Sequence, residues 1–163
     1  MQTVSHDSET PAHSQQVITA CAFITHNFEG VVKVFLPKRA STKKFLPNVF
    51  ELVGGHIEYG EDIEAGLKRE VREELHKEIT LGDPFAVFTY INEVKGSHSI
   101  EVIYFAEFIG GIDDIQINPE DHSTYEWLSE AEVRERVQEI SSDGTDQDAE
   151  YCAILKGFQK LKA

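Results

Sequence analysis

The sequence predicts an α/β fold in which a mixed sheet carries helices on its faces. Two observations lead to this prediction: β-rich runs stand before and after a helical stretch at 61–76, and two more helical patterns close the chain. Helices that alternate with strands in this way cover the faces of a sheet. The chain has 163 residues, of which 40% are hydrophobic, so it is long enough for one domain with a substantial core.

The chain begins with a polar stretch that contains Pro11. This composition predicts a disordered leader at 1–15, followed by a single domain at 16–163. The domain starts with two β-rich runs, 17–25 and 30–36, which a short polar turn joins. These runs predict the first β-hairpin.

A third strand and the main helix are predicted next. Residues 49–53 form a β-branched and aromatic run that ends at Gly54 and Gly55. Glycine there permits close approach of the backbone to a ligand. The helix at 61–76 is predicted because apolar residues recur at every fourth position. These apolar residues are Ile63, Leu67, Val71 and Leu75.

The remaining runs predict a second hairpin and two C-terminal helices. The hairpin strands are expected at 85–91 and 100–109. Ser129 and Glu132 have the spacing of a capping box, which opens a helix that ends near residue 139. Apolar side chains at helical spacing predict a last helix docked on the sheet. They are Tyr151, Ile154, Leu155, Phe158 and Leu161.

Three carboxylates of the predicted main helix, Glu70, Glu73 and Glu74, indicate a chemical role. Positions i, i+3 and i+4 are neighbours on a helix, and each like-charged pair costs roughly 0.3 kcal/mol. Mg²⁺ would convert this repulsion into coordination, because it takes carboxylate oxygens together with waters and substrate phosphates. The alternative is a solvated helix face with ion pairs such as Arg69 with Glu73. The first interpretation predicts metal-assisted attack on a phosphate.

The segment 55–77 resembles the Nudix box, a motif of glycine, glutamate and arginine at fixed spacing. The residues that match the motif are Gly55, Glu61, Arg69, Glu70, Val71, Glu73 and Glu74. His76 and Lys77 depart from it. The resemblance implies the Nudix fold, an α/β/α sandwich with a mixed central sheet. It also implies a hydrolase that depends on Mg²⁺, with Mn²⁺ as the substitute cation.

The resemblance assigns metal ligands to this segment. Glu70 and Glu74 would bind the cation directly, and the carbonyl of Gly55 would be a further ligand. Glu73 would be either another ligand or the base that acts on water. These assignments make Glu70 and Glu73 catalytic residues as well as ligands.

Two further box residues, Arg69 and Glu61, would hold the carboxylates in place. Their alternative roles are an ordinary intrahelical ion pair and an acid at the start of a helix. His76 occupies the position where glycine usually caps this helix. Histidine adopts the left-handed conformation more readily than a β-branched residue.

The residues that flank the box resemble the MutT-like nucleoside triphosphate pyrophosphohydrolases, although Val53 replaces the usual proline. By this resemblance, Lys38 and Arg39 would meet phosphates. Phe50 would line the base pocket, with a strand core position as its alternative. Glu120 is a second candidate for the base, with an ordinary solvated loop acid as its alternative.

The resulting hypothesis is a hydrolase that cleaves a phosphoanhydride bond of a nucleoside triphosphate or a related nucleoside diphosphate derivative. Within enzymes, the alternative is an ADP-ribose or nucleotide-sugar pyrophosphatase. A noncatalytic nucleotide-sensing module is a different class, and such modules usually lose box carboxylates. An isomerase on the same fold would need an acid and cysteine pair that faces the pocket, which Cys21 alone does not provide.

The charge and the cysteine content limit the kinds of partner that the protein can have. The formal net charge of −14 argues against nucleic acid polymers and anionic membranes, which need positive patches. A nucleotide substrate is still compatible, because bound metal supplies local positive charge. Cys21 and Cys152 form no disulfide framework. No signal peptide or long apolar run is present, so we expect a cytoplasmic protein that uses a nucleotide as substrate and can form a homodimer.

Overall fold

A computed structural model of the chain describes residues 9–163. It contains a six-stranded mixed sheet with helices on both faces, so the predicted fold class is confirmed. Part of the predicted leader at 1–15 lies outside the described residues. In its described part, Ala12 is buried and its N–H donates to the carbonyl of Lys95. The division into a leader and a single domain stays a prediction.

The strands and helices follow one another along the chain. The strands are β1 (Gln16–Phe28), β2 (Val31–Arg39), β3 (Val53–His56), β4 (Ile79–Asn92), β5 (Ser97–Phe108) and β6 (His122–Leu128). The helices are α1 (Ile63–Leu75), α2 (Glu130–Glu135), α3 (Val137–Ile140) and α4 (Ala149–Lys162). None of the helices in the described part of the chain is long and apolar enough to cross a membrane.

The sheet has the strand order β4, β5, β1, β2, β6, and β3 pairs with β1. Strands β1 and β5 are parallel, and the other pairings are antiparallel. Along β1, residues 19–22 pair with β3 while residues 25–28 pair with β2. The strand therefore changes partner along its length, and the candidate site lies beside this change.

Alternating residues of β1 divide the core into two layers. Cys21 and Phe23 belong to one apolar cluster, which includes Tyr151, Ile154 and Phe158 of α4. The other cluster covers the opposite face of the sheet. Its members from β1 and α1 are Ala20, Ala22, Ile24, Leu67, Val71 and Leu75. The predicted docking of the C-terminal helix on the sheet is therefore confirmed, and α1 packs on the other face.

The predicted strand at 49–53 is wrong. Among its first residues, only Phe50 forms an isolated bridge, with Lys38, and β3 begins at Val53. The two glycines belong to the strand because they let it lie close to β1. A Cβ atom at Gly54 would stand 2.0 Å from the carbonyl oxygen of Ala20. Strand β6 was also not predicted, because its pairing with β2 is a long-range contact.

Helix α1 begins and ends one or two residues inside its predicted bounds. The side chain of Asp62 accepts a hydrogen bond from Ala65 N at 3.0 Å and caps the N-terminus. His76 adopts the left-handed conformation with φ 56° and caps the C-terminus, donating its N–H to Arg72 O. The predicted capping box at Ser129 is confirmed.

We predict that Gly54→Ala destabilises the fold by at least about 2 kcal/mol, because the new Cβ atom collides with the backbone of β1. Urea unfolding followed by circular dichroism measures this loss. Gly82→Ala is the matched control in a strand, since its Cβ atom would lie 3.2 Å from the Cβ of Phe105. Equal stability losses in the two variants would contradict the packing argument.

Candidate active site

A cavity of about 700 Å³ opens beside β3. Its walls combine three groups of side chains: carboxylates of α1, basic residues at the end of β2 and in the loop after it, and polar residues of β1, β5 and α4. The carboxylates are Glu70, Glu73 and Glu74, the basic residues are Arg39, Lys43 and Lys44, and the third group includes Thr19, Cys21, Glu101 and Glu150. Gly54 and Gly55 also line the cavity.

Arg69 is the centre of a hydrogen-bond network on α1. Its Nε and Nη2 bind the two carboxylate oxygens of Glu61, at 2.7 and 2.9 Å. Its Nη1 lies 2.9 Å from Glu70 and 3.3 Å from Glu73, and Nη2 donates to the carbonyl of His56. The hydrogen bond to Glu61, followed by those to Glu70, raises the pKa of Arg69. Arg69 therefore contacts two of the acids that the sequence expected it to position, and Glu61 is connected to them through Arg69.

Two glycines allow this network to form. A Cβ atom at Gly55 would lie 2.5 Å from the carboxyl carbon of Glu70, so the backbone of β3 lies directly against this acid. A Cβ atom at Gly66 would lie 2.6 Å from Glu61 Oε1. The predicted ligand Gly55 is therefore next to the predicted ligand Glu70.

The three box carboxylates differ in their environments. Glu70 is buried, Glu74 is half-buried and Glu73 is exposed. One oxygen of Glu74, Oε2, is buried without a hydrogen-bond partner among the described residues. Burial, and then the negative charges of Glu70 and Glu51, raise the pKa of Glu74 well above its ordinary value. An all-oxygen donor set with an unsatisfied buried oxygen fits a hard divalent cation.

The ligand atoms of the three box carboxylates do not all converge on one point. Within residues 9–163, the group of three that has all its ligand atoms within 4.8 Å of one another consists of Cys21, Glu101 and Glu150. Ion pairs with Arg69 occupy Glu70 and Glu73. A cation at the box would therefore compete with Arg69 for these two acids.

The residues that were predicted to contact the phosphates and the nucleobase divide into two sets. Arg39 lines the cavity, where its Nε donates to Phe45 O at 2.8 Å and its Nη1 lies 3.3 Å from Glu51. Lys38 and Phe50 are not among the lining residues. Phe50 is 3% exposed in the core, and Lys38 Nζ stands 5.4 Å from its ring centroid. The position of Phe50 agrees with the alternative of a core residue.

Glu120, the second candidate for the general base that acts on water, is exposed and does not line the cavity. Its neighbours Asn118, Asp121 and His122 do. Asp121 pairs with Lys43 at 3.2 Å. The loop thus reaches the cavity through residues that the sequence analysis did not select.

The buried His122 and the half-buried Glu51 form a pair that sequence reasoning missed. His122 Nε2 lies 2.8 Å from Glu51 Oε2, and the imidazole is almost fully buried. Burial acts to raise the pKa of Glu51, but Arg39 and His122 lower it overall. His122 Nδ1 has no hydrogen-bond partner within the described chain. The available signal was Glu51 itself, an acid inside an apolar run.

Cys21, Glu101 and Glu150 form what we call the thiol–acid cluster. Cys21 Sγ and Thr19 Oγ1 each lie 3.3 Å from Glu101 Oε1, and Leu52 N donates to Glu150 Oε1 at 3.4 Å. Burial raises the pKa of Glu101 to about 7. Burial, and then Glu101, also raises the pKa values of Cys21 and Glu150. The sequence signal was an acid at an inward-facing position of β5.

A mixed sheet thus lies between helices, and the glutamate-rich helix α1 lies at a cavity. The sequence matches the NUDIX domain over residues 15–147. The chain therefore belongs to the Nudix family and is a Nudix hydrolase, which confirms the resemblance and the enzyme class inferred from the box.

Individual relatives agree with this assignment. Nucleoside triphosphatase NudI of Salmonella schwarzengrund (strain CVM19633) is 32% identical over 106 residues, which cover 60% of this chain and 74% of that protein. The MutT protein from Methanosarcina mazei Go1 has a TM-score of 0.70 at 20% identity, covering 93% and 98% of the two chains. An Ap4A hydrolase of C. elegans has a TM-score of 0.68 at 21% identity, covering 90% and 97%. The two structures show a shared fold.

We predict that Glu101→Gln stabilises the protein more at pH 8 than at pH 5. The unfolded chain releases the Glu101 proton near 4.5 and the folded chain near 7, so native stability falls as pH rises through this window. The amide of glutamine does not ionise, so the variant avoids a loss in the free energy of unfolding on the order of 2 kcal/mol. This difference corresponds to roughly 4 to 8 °C in Tm. Thermal melts at both pH values test this, with exposed Glu107→Gln on the same strand as control. A Tm difference independent of pH would contradict the raised pKa.

Proposed function

We propose that the protein is a Mg²⁺-dependent hydrolase that cleaves a phosphoanhydride bond of a nucleoside triphosphate or a related nucleoside diphosphate derivative. The buried, unpartnered oxygen of Glu74 beside Glu70 carries this proposal, because a divalent cation would satisfy it and offset the acids. The Salmonella relative is named as a nucleoside triphosphatase, which supports the substrate class. A cytoplasmic location and a homodimer stay predictions.

In this proposal the chain holds the cation through Glu70, Glu74 and the carbonyl of Gly55, and Glu73 is either a further ligand or the base. A cation held there would supply positive charge beside the substrate phosphates and would lower the pKa of the attacking water; Mg²⁺ is the proposed ion, with Mn²⁺ as a substitute. Arg69 keeps Glu70 and Glu73 at the helix surface that faces the cavity. The bidentate contact with Glu61 in turn fixes the guanidinium plane.

Glu73 is the preferred candidate for the base that takes a proton from water. Its carboxylate is exposed and also lines the cavity, so a proton can pass from it to solvent. Glu120 is the second candidate, and its loop reaches the cavity through Asp121 and His122. Arg39 and Lys43 would bind phosphates by exchanging their present carboxylate partners, Glu51 and Asp121, for the substrate.

The noncatalytic sensor is disfavoured because all three box acids are present. The isomerase gains a cysteine and acid pair at the cavity, since Cys21 contacts Glu101. However, these two groups hydrogen-bond to each other, so they do not flank a space for a substrate carbon. Burial also raises the pKa of the Cys21 thiol and keeps it protonated. Both observations favour hydrolysis over isomerisation.

A substrate panel tests the proposal directly. Nucleoside triphosphates, ADP-ribose and nucleotide sugars are incubated with the protein and Mg²⁺, and release of pyrophosphate is scored against release of monophosphate. We expect turnover of nucleoside triphosphates that excess chelator abolishes. Turnover confined to ADP-ribose or nucleotide sugars would favour the pyrophosphatase alternative. Full activity in chelator would refute the mechanism.

We predict that Glu74→Gln lowers kcat by at least about 100-fold, because it removes a charged ligand while keeping the side-chain shape. The fold should remain, as circular dichroism would show. Glu64→Gln is the matched control, since Glu64 is an exposed acid in the first turn of the same helix. If both variants keep native turnover, Glu74 is not a ligand.

A second prediction separates catalyst from sensor. Glu73→Gln should lower kcat more than it weakens nucleotide binding, because the acid acts mainly on the transition state. Calorimetry gives the affinity and phosphate release gives the turnover, both at saturating Mg²⁺. Tight nucleotide binding by the native protein without turnover of any phosphoanhydride would favour the sensor instead.

A further inference from the structure

Strand β4 lies at one edge of the sheet, because β5 is its only neighbour among the described strands. Its register with β5 is regular from Ala86 to Asn92, and the irregular positions come before this stretch. Within residues 9–163, no backbone hydrogen bond joins 86–91 to a segment other than β5. The outward N–H and C=O groups of the stretch are therefore open to another strand.

This edge lacks the features that usually prevent a sheet from pairing with another chain. Natural edge strands carry lysine, proline, a bulge or a covering segment. Residues 85–92 contain no charged residue and no proline, although the whole chain has a formal net charge of −14. Copies of so acidic a chain repel each other in general. The uncharged edge of β4 is a place where that repulsion is weakest.

The side chains of β4 add an apolar face to the open edge. Val87 and Ile91 are 67% and 62% exposed, and Thr89 between them is also exposed. The patch continues across the sheet to Ile18, which is 47% exposed. Ile100 connects the two parts, since it pairs with Thr89 on one side and with Ile18 on the other. A row of exposed aliphatic side chains beside an open backbone edge indicates an interaction surface.

The geometry points to β4 as the interface of a two-fold homodimer, in which two copies of the strand pair antiparallel and join their sheets. The stretch is complementary to itself when the two-fold axis passes Thr89. Val87 of one copy then lies opposite Ile91 of the other copy on one face of the joined sheet. Phe88 lies opposite Tyr90 on the other face. Aromatic and β-branched residues in opposite positions stabilise antiparallel pairs.

A second copy of the chain fits this edge because of the residue at the axis. A two-fold axis places that residue against its own copy, so a charged residue there would repel itself. Thr89 is uncharged, and threonine pairs with threonine across strands through its hydroxyl groups. The contact uses the same surface on both copies, so association stops at the dimer.

The length of the stretch sets the expected strength of the dimer. The seven residues 86–92 extend over about 23 Å of strand. A contact of this length buries on the order of 1,000 Å² in total, which meets the lower limit for a specific interface. We therefore expect a reversible dimer with a dissociation constant in the micromolar range.

The proposed interface adjoins the cavity of each copy. Phe88 and Tyr90 line the cavity, and the ring of Tyr90 is within 11° of parallel to that of Phe45, with centroids 6.2 Å apart. In the dimer, Phe88 of the second copy would pack beside Tyr90. Each copy would thus support the cavity wall of the other. The inference is independent of the reaction proposed above, since it uses only the strand edge and its side chains.

Sedimentation velocity of the full chain from about 1 to about 200 µM tests the dimer. We expect the native protein to change from monomer to dimer over this range. Thr89→Lys should weaken dimerisation at least about 100-fold, because the axis places the two lysines against each other. Val31→Lys is the matched control: Val31 is β-branched and 48% exposed on β2, and the net charge changes equally. This control should keep the native dissociation constant.

A cysteine crosslink tests the register of the two strands. Thr89→Cys is introduced together with Cys152→Ser, which removes the exposed native thiol and leaves the buried Cys21. Opposite Cα atoms of an antiparallel pair lie about 4.5 to 5.5 Å apart, within the range of a disulfide. Mild oxidation should therefore give a covalent dimer. Val31→Cys in the same background should give none.

A native chain that stays monomeric at every concentration would overturn the inference. A dimer that Thr89→Lys leaves intact would also overturn it, because such a dimer uses another surface. The same holds if Val31→Lys weakens the dimer as much as Thr89→Lys does. Failure of the Thr89 crosslink in a chain that dimerises would refute the proposed pairing. Circular dichroism of each variant ensures that a lost dimer is not a lost fold.

Discussion

The close approach of β3 to its neighbours is the constraint on which the site depends. Gly54 leaves no room for a Cβ atom against the carbonyl of Ala20, and Gly55 leaves none against the carboxylate of Glu70. Strand β1 can therefore hold β3 on the same edge that pairs with β2 further along. The cavity lies where the partner changes, and the Glu70 face of α1 lies against it. A side chain at either glycine would separate the helix carboxylates from the sheet.

The second feature is that the Nudix box holds more carboxylates than its arginine can pair with. Arg69 is the main cation of the box and contacts Glu61, Glu70 and Glu73. Within the described chain Arg69 forms no ion pair with Glu74, and burial, followed by the charges of Glu70 and Glu51, raises the pKa of Glu74. The arrangement stores unfavourable charge that a cation would relieve. Under the proposed function, this local cost in stability is of the kind expected where function and folding conflict.

The cavity is also divided by the chemistry of its walls. Glu51 is ionised because Arg39 and His122 outweigh the effect of burial, whereas Glu101 has no such partner and burial raises its pKa. Two acids that line one cavity therefore differ in protonation near neutral pH. This difference places an ionised acid and a largely neutral acid on the walls of the same cavity.

The sequence alone determined the elements that depend on local spacing. The i, i+3, i+4 acids, the box glycines and the Ser129 capping box are encoded within a few residues, so α1 and the family could be recognised directly. Tertiary structure decided the rest, because β3 and β6 are set by long-range pairing. It also placed Phe50 in the core. It brought ligand atoms of Cys21, Glu101 and Glu150, which belong to three distant segments, within 4.8 Å of one another. Proximity of this kind has no local signature, since strand pairing and helix docking create it only in the folded chain.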